Sequence, residues 1–183
     1  MPPNTAPDND PPTIRTAVSA DIDRIVAIRH RVAQEGRWIG AEAPFDTAAA
    51  ARRTRAAIED TERGVFVAVL DDAIAGTATV EFTVAGVTSF GMMLLDRYRG
   101  RGIGTLLLYR VIGWSRAHGA HKISLQVWPH NGPALALYTR AGFEIEGILR
   151  AHYRRRNGEL WDAVVMGLAL PGSSGSHEWS PVS

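Results

Sequence analysis

Met92-Met93-Leu94-Leu95-Asp96-Arg97-Tyr98-Arg99-Gly100-Arg101-Gly102-Ile103-Gly104-Thr105 decides how the rest of the chain is read. An apolar run suited to a strand passes into a glycine-rich turn, and the turn leads straight into a helix. Ile103, Leu107, Val111 and Trp114 follow at steps of four, four and three, which places them on one helical face. The first turn of a helix carries backbone N–H groups without intrahelical acceptors, at the positive end of the macrodipole. Glycines let the backbone come close to an anion, and Arg97, Arg99 and Arg101 add positive charge around it. The same residues also suit a plain turn with solvated arginines. No Gly-Lys-Ser/Thr follows, so this is not a Walker loop. Three strand segments precede the turn and no acidic residue stands after the next strand, which excludes the dinucleotide fingerprint.

Working outward, Thr13 to Ala17 predicts a short strand, and Ser19 an N-cap for a helix striped by Ile22, Ile25, Val26, Arg29 and Val32. Asp46 predicts the cap of a second, Ala-rich helix reaching about Thr61. Val65 to Leu70, Ile74 to Val84 and Val87 to Leu95 predict three strands, turning at Asp71-Asp72 and Ala85-Gly86. Beyond the glycine-rich helix, Ile123 to Val127 predicts a strand. Ala134, Leu137, Tyr138 and Ala141 face inward on a helix that Gly142 ends. Phe143 to Tyr153 and Leu160 to Leu170 complete the pattern, joined around Asn157-Gly158. The order βααβββαβαββ describes one mixed α/β sheet domain.

Composition sets the outer bounds. Five of the ten prolines lie in the first twelve residues, so residues 1–12 are expected to be disordered, 13–170 to form the domain, and 171–183 to be a flexible tail. Hydrophobic residues at 45% and charged residues at 21% are enough for a real core. Twenty Lys+Arg against nineteen Asp+Glu leave a net charge of +1, which offers no global attraction for nucleic acid. Cysteine is absent, which removes disulfides, thiolate metal sites and a cysteine nucleophile, and fits a cytoplasmic setting. The polar, Pro-rich start has no signal-peptide character. The stretch from Ile74 to Leu95 is broken by threonines, Glu81 and three glycines, so no membrane span is expected. The six histidines have no metal-ligand spacing, so no metal is expected.

Arg99-Gly100-Arg101-Gly102-Ile103-Gly104 resembles the Gln/Arg-x-x-Gly-x-Gly/Ala signature of the GCN5-related N-acetyltransferases. Asn131-Gly132-Pro133-Ala134-Leu135-Ala136-Leu137-Tyr138-Thr139-Arg140-Ala141-Gly142-Phe143 is similar to that family's Asn-x-x-Ala-x-x-Leu-Tyr-x-x-x-Gly-Phe block. The resemblance spans roughly Thr13 to Leu170. It implies a single-domain fold with a central mixed, mostly antiparallel sheet flanked by helices, whose strands splay at the acetyl-CoA site. Asp96 stands where many relatives carry proline.

The resemblance also implies roles. Main-chain groups of Met92, Met93 and Leu94 would line the pantetheine arm of acetyl-CoA, with Leu94 N–H polarising the acetyl oxygen. The N–H groups of Arg99, Gly100, Arg101, Gly102, Ile103, Gly104 and Thr105 would hold the pyrophosphate. Asn131 would contact the cofactor or cap its helix. Tyr138 would protonate the departing thiolate. No motif fixes the base: Glu81, which interrupts an otherwise apolar or Thr-rich run, is the first candidate or else an outward-facing strand residue, ahead of Glu35, Glu42, His152 and Asp162. Glu35, Trp38 and Phe45, between the first two helices, would recognise the acceptor. That acceptor is a small-molecule amine or amino acid, with a peptide N-terminus as the alternative and a non-catalytic acyl-CoA sensor as the rival. Arg154-Arg155-Arg156 is a solvated charge run or a site for an acidic partner. Exposed strand edges in this family often pair into dimers, so the resemblance allows a homodimer without fixing the oligomer.

Overall fold

A computed structural model describes residues 11–170; the expected disordered start and flexible tail lie, apart from Pro11 and Pro12, outside the described residues. The strands are β1 (Thr13–Thr16), β2 (Arg63–Leu70), β3 (Ala73–Val84), β4 (Val87–Leu94), β5 (Lys122–Val127), β6 (Glu144–Arg154) and β7 (Leu160–Ala169). The helices are α1 (Ile22–Gln34), α2 (Thr47–Glu59), α3 (Ile103–Ala117) and α4 (Gly132–Arg140). The strands form one open sheet in the order β1-β2-β3-β4-β5-β7-β6. Every neighbouring pair is antiparallel except β4–β5. The expected element order holds.

Strand alternation divides the core between the two faces. Val65, Val67 and Ile74 pack with Ile25, Ile28 and Val32 of α1 and Ala57 of α2. Phe66, Ala78 and Val80 face the other way, onto Ile103, Leu107 and Val111 of α3. A separate cluster on that second face joins Ile123, Leu125 and Met166 to Tyr138 and Phe143 at α4. Phe90 and Met92 of β4 touch both second-face clusters. Burying one such aliphatic side chain is worth about 1.5–3 kcal/mol, so the clusters carry most of the gross stabilisation.

Three local expectations are refined. Asp46 does cap α2, its carboxylate accepting from Ala49 N–H at 2.8 Å. Ser19 is not the cap of α1. A single 3-10 turn precedes the helix, and the buried Asp21 carboxylate instead accepts from Val18 N–H at 2.8 Å and from the Arg15 guanidinium at 2.6 and 2.8 Å. Hydrogen bonding to Arg15 holds the Asp21 carboxyl below its usual range. The Asn157-Gly158 connection is longer than a two-residue turn: residues 155–159 form the loop, closed by Arg155 N–H to Glu159 O at 2.8 Å.

What positions the site is the single parallel contact. β4 and β5 pair only at Val87↔Lys122, Thr88↔Ile123 and Ser89↔Ser124. Beyond Ser89, β4 stays with β3 as far as Leu94, while β5 stays with β7 as far as Val127. The sheet therefore opens between Phe90–Leu94 and Leu125–Val127. Its closed end is pinned by the buried contact between the Thr88 and Ser115 hydroxyls at 2.9 Å.

Candidate active site

The parity of β4 decides which main-chain groups face the opening. Leu95 N–H donates to Ala75 O at 3.0 Å, so Leu95 points toward β3, and Met93, two residues earlier, does the same opposite Thr77. The peptide groups of Met92 and Leu94 consequently point into the gap. Of the three residues expected to line an extended arm with their backbone, Met92 and the N–H of Leu94 are available, the Leu94 carbonyl already accepts from Arg99 at 3.0 and 3.2 Å, and Met93 is not available. Its N–H and C=O belong to the β3 ladder, and its side chain packs with the α1-side cluster.

Past Leu94 a 3-10 turn (Asp96–Tyr98) leads to the glycine-rich segment. Gly100 and Gly102 have φ of 73° and 78°, left-handed values that side-chain-bearing residues avoid. Within Arg99–Thr105, Arg99 N–H is used by Asp96 O at 3.0 Å and Thr105 N–H by Gly102 O at 3.0 Å. The N–H groups of Gly100, Arg101, Gly102, Ile103 and Gly104 have no acceptor among the described residues. Five such donors at the start of a 15-residue helix form an anion cradle. The Arg101 side chain beside them has no ion-pair partner among the described residues. Arg97 lies 4.8 Å over the Tyr98 ring. A Cβ at Gly104 would stand 3.4 Å from Leu137, with Met92 and Leu94 within 4.0 Å, so the cradle adjoins both α4 and the opened strand. These residues fit a pyrophosphate attached to an extended polar arm.

Tyr138 sits on the α4 side of the opening, 8% exposed, its ring 5.7 Å from Phe90 in an edge contact and 5.8 Å from Phe143. Its hydroxyl makes no hydrogen bond among the described residues. No fully buried side-chain oxygen lacks a partner among the described residues, so the hydroxyl end reaches solvent. Burial pushes the phenol up to about 12. Asn131 caps α4, its side chain accepting from Ala134 N–H at 3.3 Å.

Glu81 is not brought to this site. It stands opposite Ser89 at the closed end of the β4–β5 pair, five residues or roughly 17 Å along the strand from Leu94. Its carboxylate pairs with Arg63 on β2 at 3.0 Å, on the partly exposed surface. Glu35 lies at the cofactor strand instead, but engaged: Arg99 donates to its two oxygens at 2.7 Å each, and Trp38 Nε1 donates at 2.6 Å. Burial pushes the Glu35 carboxyl up, but Arg99, Trp38 and the charge of Arg31 together outweigh it and hold the group below its usual range. Trp38, like Met93 and Leu95, packs against the α1-side cluster. Phe45 packs instead with Ile22, Val26 and Ala50 between α1 and α2 and touches the His30 ring at 5.6 Å.

Of the remaining candidate bases, the two carboxylates are tied as well, and His152 has only a ring contact. Asp162 accepts from Ala151 N–H at 2.7 Å, Glu42 accepts from Arg156 N–H at 3.2 Å and lies 3.6 Å from Arg155, and His152 stacks edge-on to Tyr153. The arginine run is not merely solvated. Arg155 is 5% exposed, its guanidinium 4.4 Å over Trp161 and 5.9 Å from Trp128, and it donates to Gly40 O at 3.2 Å. Arg156 donates to Pro44 O at 2.8 Å, and His130 Nε2 meets Arg37 O at 2.8 Å. The loop after α1 is thereby tied across the cleft to the β6–β7 hairpin. Nothing in the spacing signals these contacts, because the partners are up to 115 residues apart.

An open parallel pair leading to a row of free N–H groups gives this α/β protein backbone donors of the kind that suit a phosphate-bearing ligand. Residues 28–143 match the model of the Acetyltransferase (GNAT) family, and the chain belongs to that family. The L-amino acid N-acetyltransferase AaaT of Escherichia coli is 33% identical over 108 residues, covering 55% of this chain and 64% of that protein, so this chain spans less than two thirds of its length. The L-methionine sulfoximine/L-methionine sulfone acetyltransferase of Pseudomonas aeruginosa is 31% identical over 145 residues, covering 74% of this chain and 81% of that protein. The crystal structure of a phosphinothricin acetyltransferase from Sinorhizobium meliloti in complex with AcCoA shares the fold, with a TM-score of 0.81 at 24% identity over 93% of this chain and 95% of that one. No helix among the described residues is long and apolar enough to cross a membrane.

Proposed function

We propose that this chain transfers an acetyl group from acetyl-CoA directly to the primary amine of a small molecule or amino acid. The observation that carries the reading is the free N–H row of Gly100–Gly104 joined to the outward peptide groups of Met92 and Leu94. When bound, acetyl-CoA supplies an activated thioester and a thiol leaving group. The cradle and Arg101 would hold its pyrophosphate, and Met92 and Leu94 would hold its arm. Leu94 N–H faces the gap and is free to donate to an acyl oxygen, a fixed dipole of the kind that stabilises developing negative charge. Tyr138, protonated at every physiological pH, would offer its hydroxyl to the departing sulfur.

The four carboxylates among the acid–base candidates named above are engaged elsewhere, and His152 is exposed on β6 with only a ring contact to Tyr153, so the amine is best supplied already neutral from solution. The named carboxylates on the acceptor side, Glu35, Glu42 and Asp162, all satisfy partners within the chain. This favours a small acceptor over a polycation that would need free acidic groups.

The test is release of free thiol from acetyl-CoA across a panel of amines, amino acids and short N-terminal peptides. Thiol release with amino acids or small amines is expected. Release confined to peptides would overturn the acceptor class, and silence throughout with acetyl-CoA still bound would overturn catalysis in favour of a sensor.

A further inference from the structure

Arg99 opens the glycine-rich signature, yet its side chain turns away from the free N–H row. A guanidinium has five N–H donors in a fixed fork. Here Nε donates to Leu94 O at 3.2 Å, and Nη2 to the same oxygen at 3.0 Å and to Glu35 Oε1 at 2.7 Å. Nη1 donates to Glu35 Oε2 at 2.7 Å and to Asp96 Oδ1 at 3.3 Å. The five contacts match the five donors and leave none for a phosphate. Trp38, 5.4 Å away, stands over the group and also donates to Glu35.

We infer that Arg99 is a positioning residue, which aligns the Leu94 peptide and the Glu35–Trp38 segment for acyl transfer and does not bind the pyrophosphate. The inference rests on the proposed transferase reading for its kinetic consequence only. Leu94 is the last residue of β4, where the sheet no longer supports its gap side. Fixing its carbonyl fixes the torsions about its Cα, and with them the direction in which its N–H points. Because the same guanidinium grips Glu35 at the end of α1, one side chain registers the acceptor-side loop against the reacting strand. Lysine would keep the charge but lose the fork, which makes Arg99→Lys the informative change.

Acetyl-CoA binding is measured by calorimetry at two salt concentrations for the wild type, Arg99→Lys and Glu35→Gln. Amide exchange is followed over residues 35–39 and 94–96, and thiol release is measured with L-methionine as acceptor. The expected result is acetyl-CoA affinity within twofold of wild type with the same salt dependence, faster exchange in both segments, and kcat down about tenfold or more in Arg99→Lys. Glu35→Gln is expected to follow in the same direction, and the double variant to lose no more than Arg99→Lys alone. A tenfold loss of acetyl-CoA affinity with a shallower salt dependence would overturn the inference and return Arg99 to the phosphate. Unchanged exchange and kcat would overturn it too. If the wild type releases no thiol, the proposed function fails, while binding and exchange still decide the role of Arg99.

Discussion

Replacing Tyr138 by phenylalanine removes one oxygen and leaves the ring against Phe90 and Phe143. The hydroxyl has no partner among the described residues, so no buried acceptor is orphaned and the thermal midpoint should stay within about 1 °C. The kinetic cost is set by what the hydroxyl can give. A phenol at about 12 facing a thiolate whose conjugate acid lies near ~8.5 surrenders its proton at a cost of roughly 5 kcal/mol. A hydrogen bond to developing charge is the larger part of what it offers, worth about 1.5–3 kcal/mol. Tyr138→Phe should therefore lower kcat roughly 10- to 150-fold, with acetyl-CoA affinity unchanged. Stopped-flow thiol release and calorimetry on the same preparations check both halves. A kcat within threefold of wild type would refute the role, and a loss beyond about 10⁴-fold would refute the argument that burial limits the proton's release.

Gly102→Asp should abolish measurable acetyl-CoA binding by calorimetry, since it adds a carboxylate beside the cradle. Gly102→Ala, which strains only the left-handed backbone, should cost roughly 1–2 kcal/mol in urea unfolding and retain binding. The pH profile of kcat/KM should rise through the acceptor amine's own ionisation, without a second limb from Tyr138 below about 12. Asp21→Asn should lower the urea midpoint near pH 7 by an amount worth about 1–2 kcal/mol. Because folding depresses the Asp21 pKa, its contribution is fully present above the unfolded value near ~3.9 and is lost as pH falls through the lower folded value, so the gap between variant and wild type should narrow in acid. Arg155→Ala leaves Glu42 and two tryptophans without their cation and should cost about 2–4 kcal/mol by the same unfolding assay.

Much of the site was legible because its physics is local. A strand, two left-handed glycines and a helix start are consecutive in the chain, and α4 carries Tyr138 on a face that periodicity alone turns inward. Where the chain must be folded to know the partner, reading along it falls short. Arg99 looks like a phosphate ligand until Glu35, 64 residues away, takes its fork. Glu81 looks isolated on its own strand, but Arg63 faces it from the next one. The Met92–Leu94 group treats three consecutive residues alike, whereas the two-residue period of a strand lets only alternate ones face the gap. Arg155, in a charge run that normally stays in water, is drawn inward by two indole faces and a carboxylate that no spacing rule connects to it.

The short ladder at residues 87–89 and 122–124 has a mechanical meaning. It leaves two half-sheets that are joined at the base by that ladder, across one face by α3, Phe90 and Met92, which belong to both clusters, and at the rim by Arg155 and Arg156 gripping the segment 40–44. A gap bolted at both ends keeps its width without a guest inside, so a ligand meets a rigid slot and little chain ordering is spent on entry. Cutting the rim bolt alone would free the open end of the slot while α3 and the three residue pairs still hold its base.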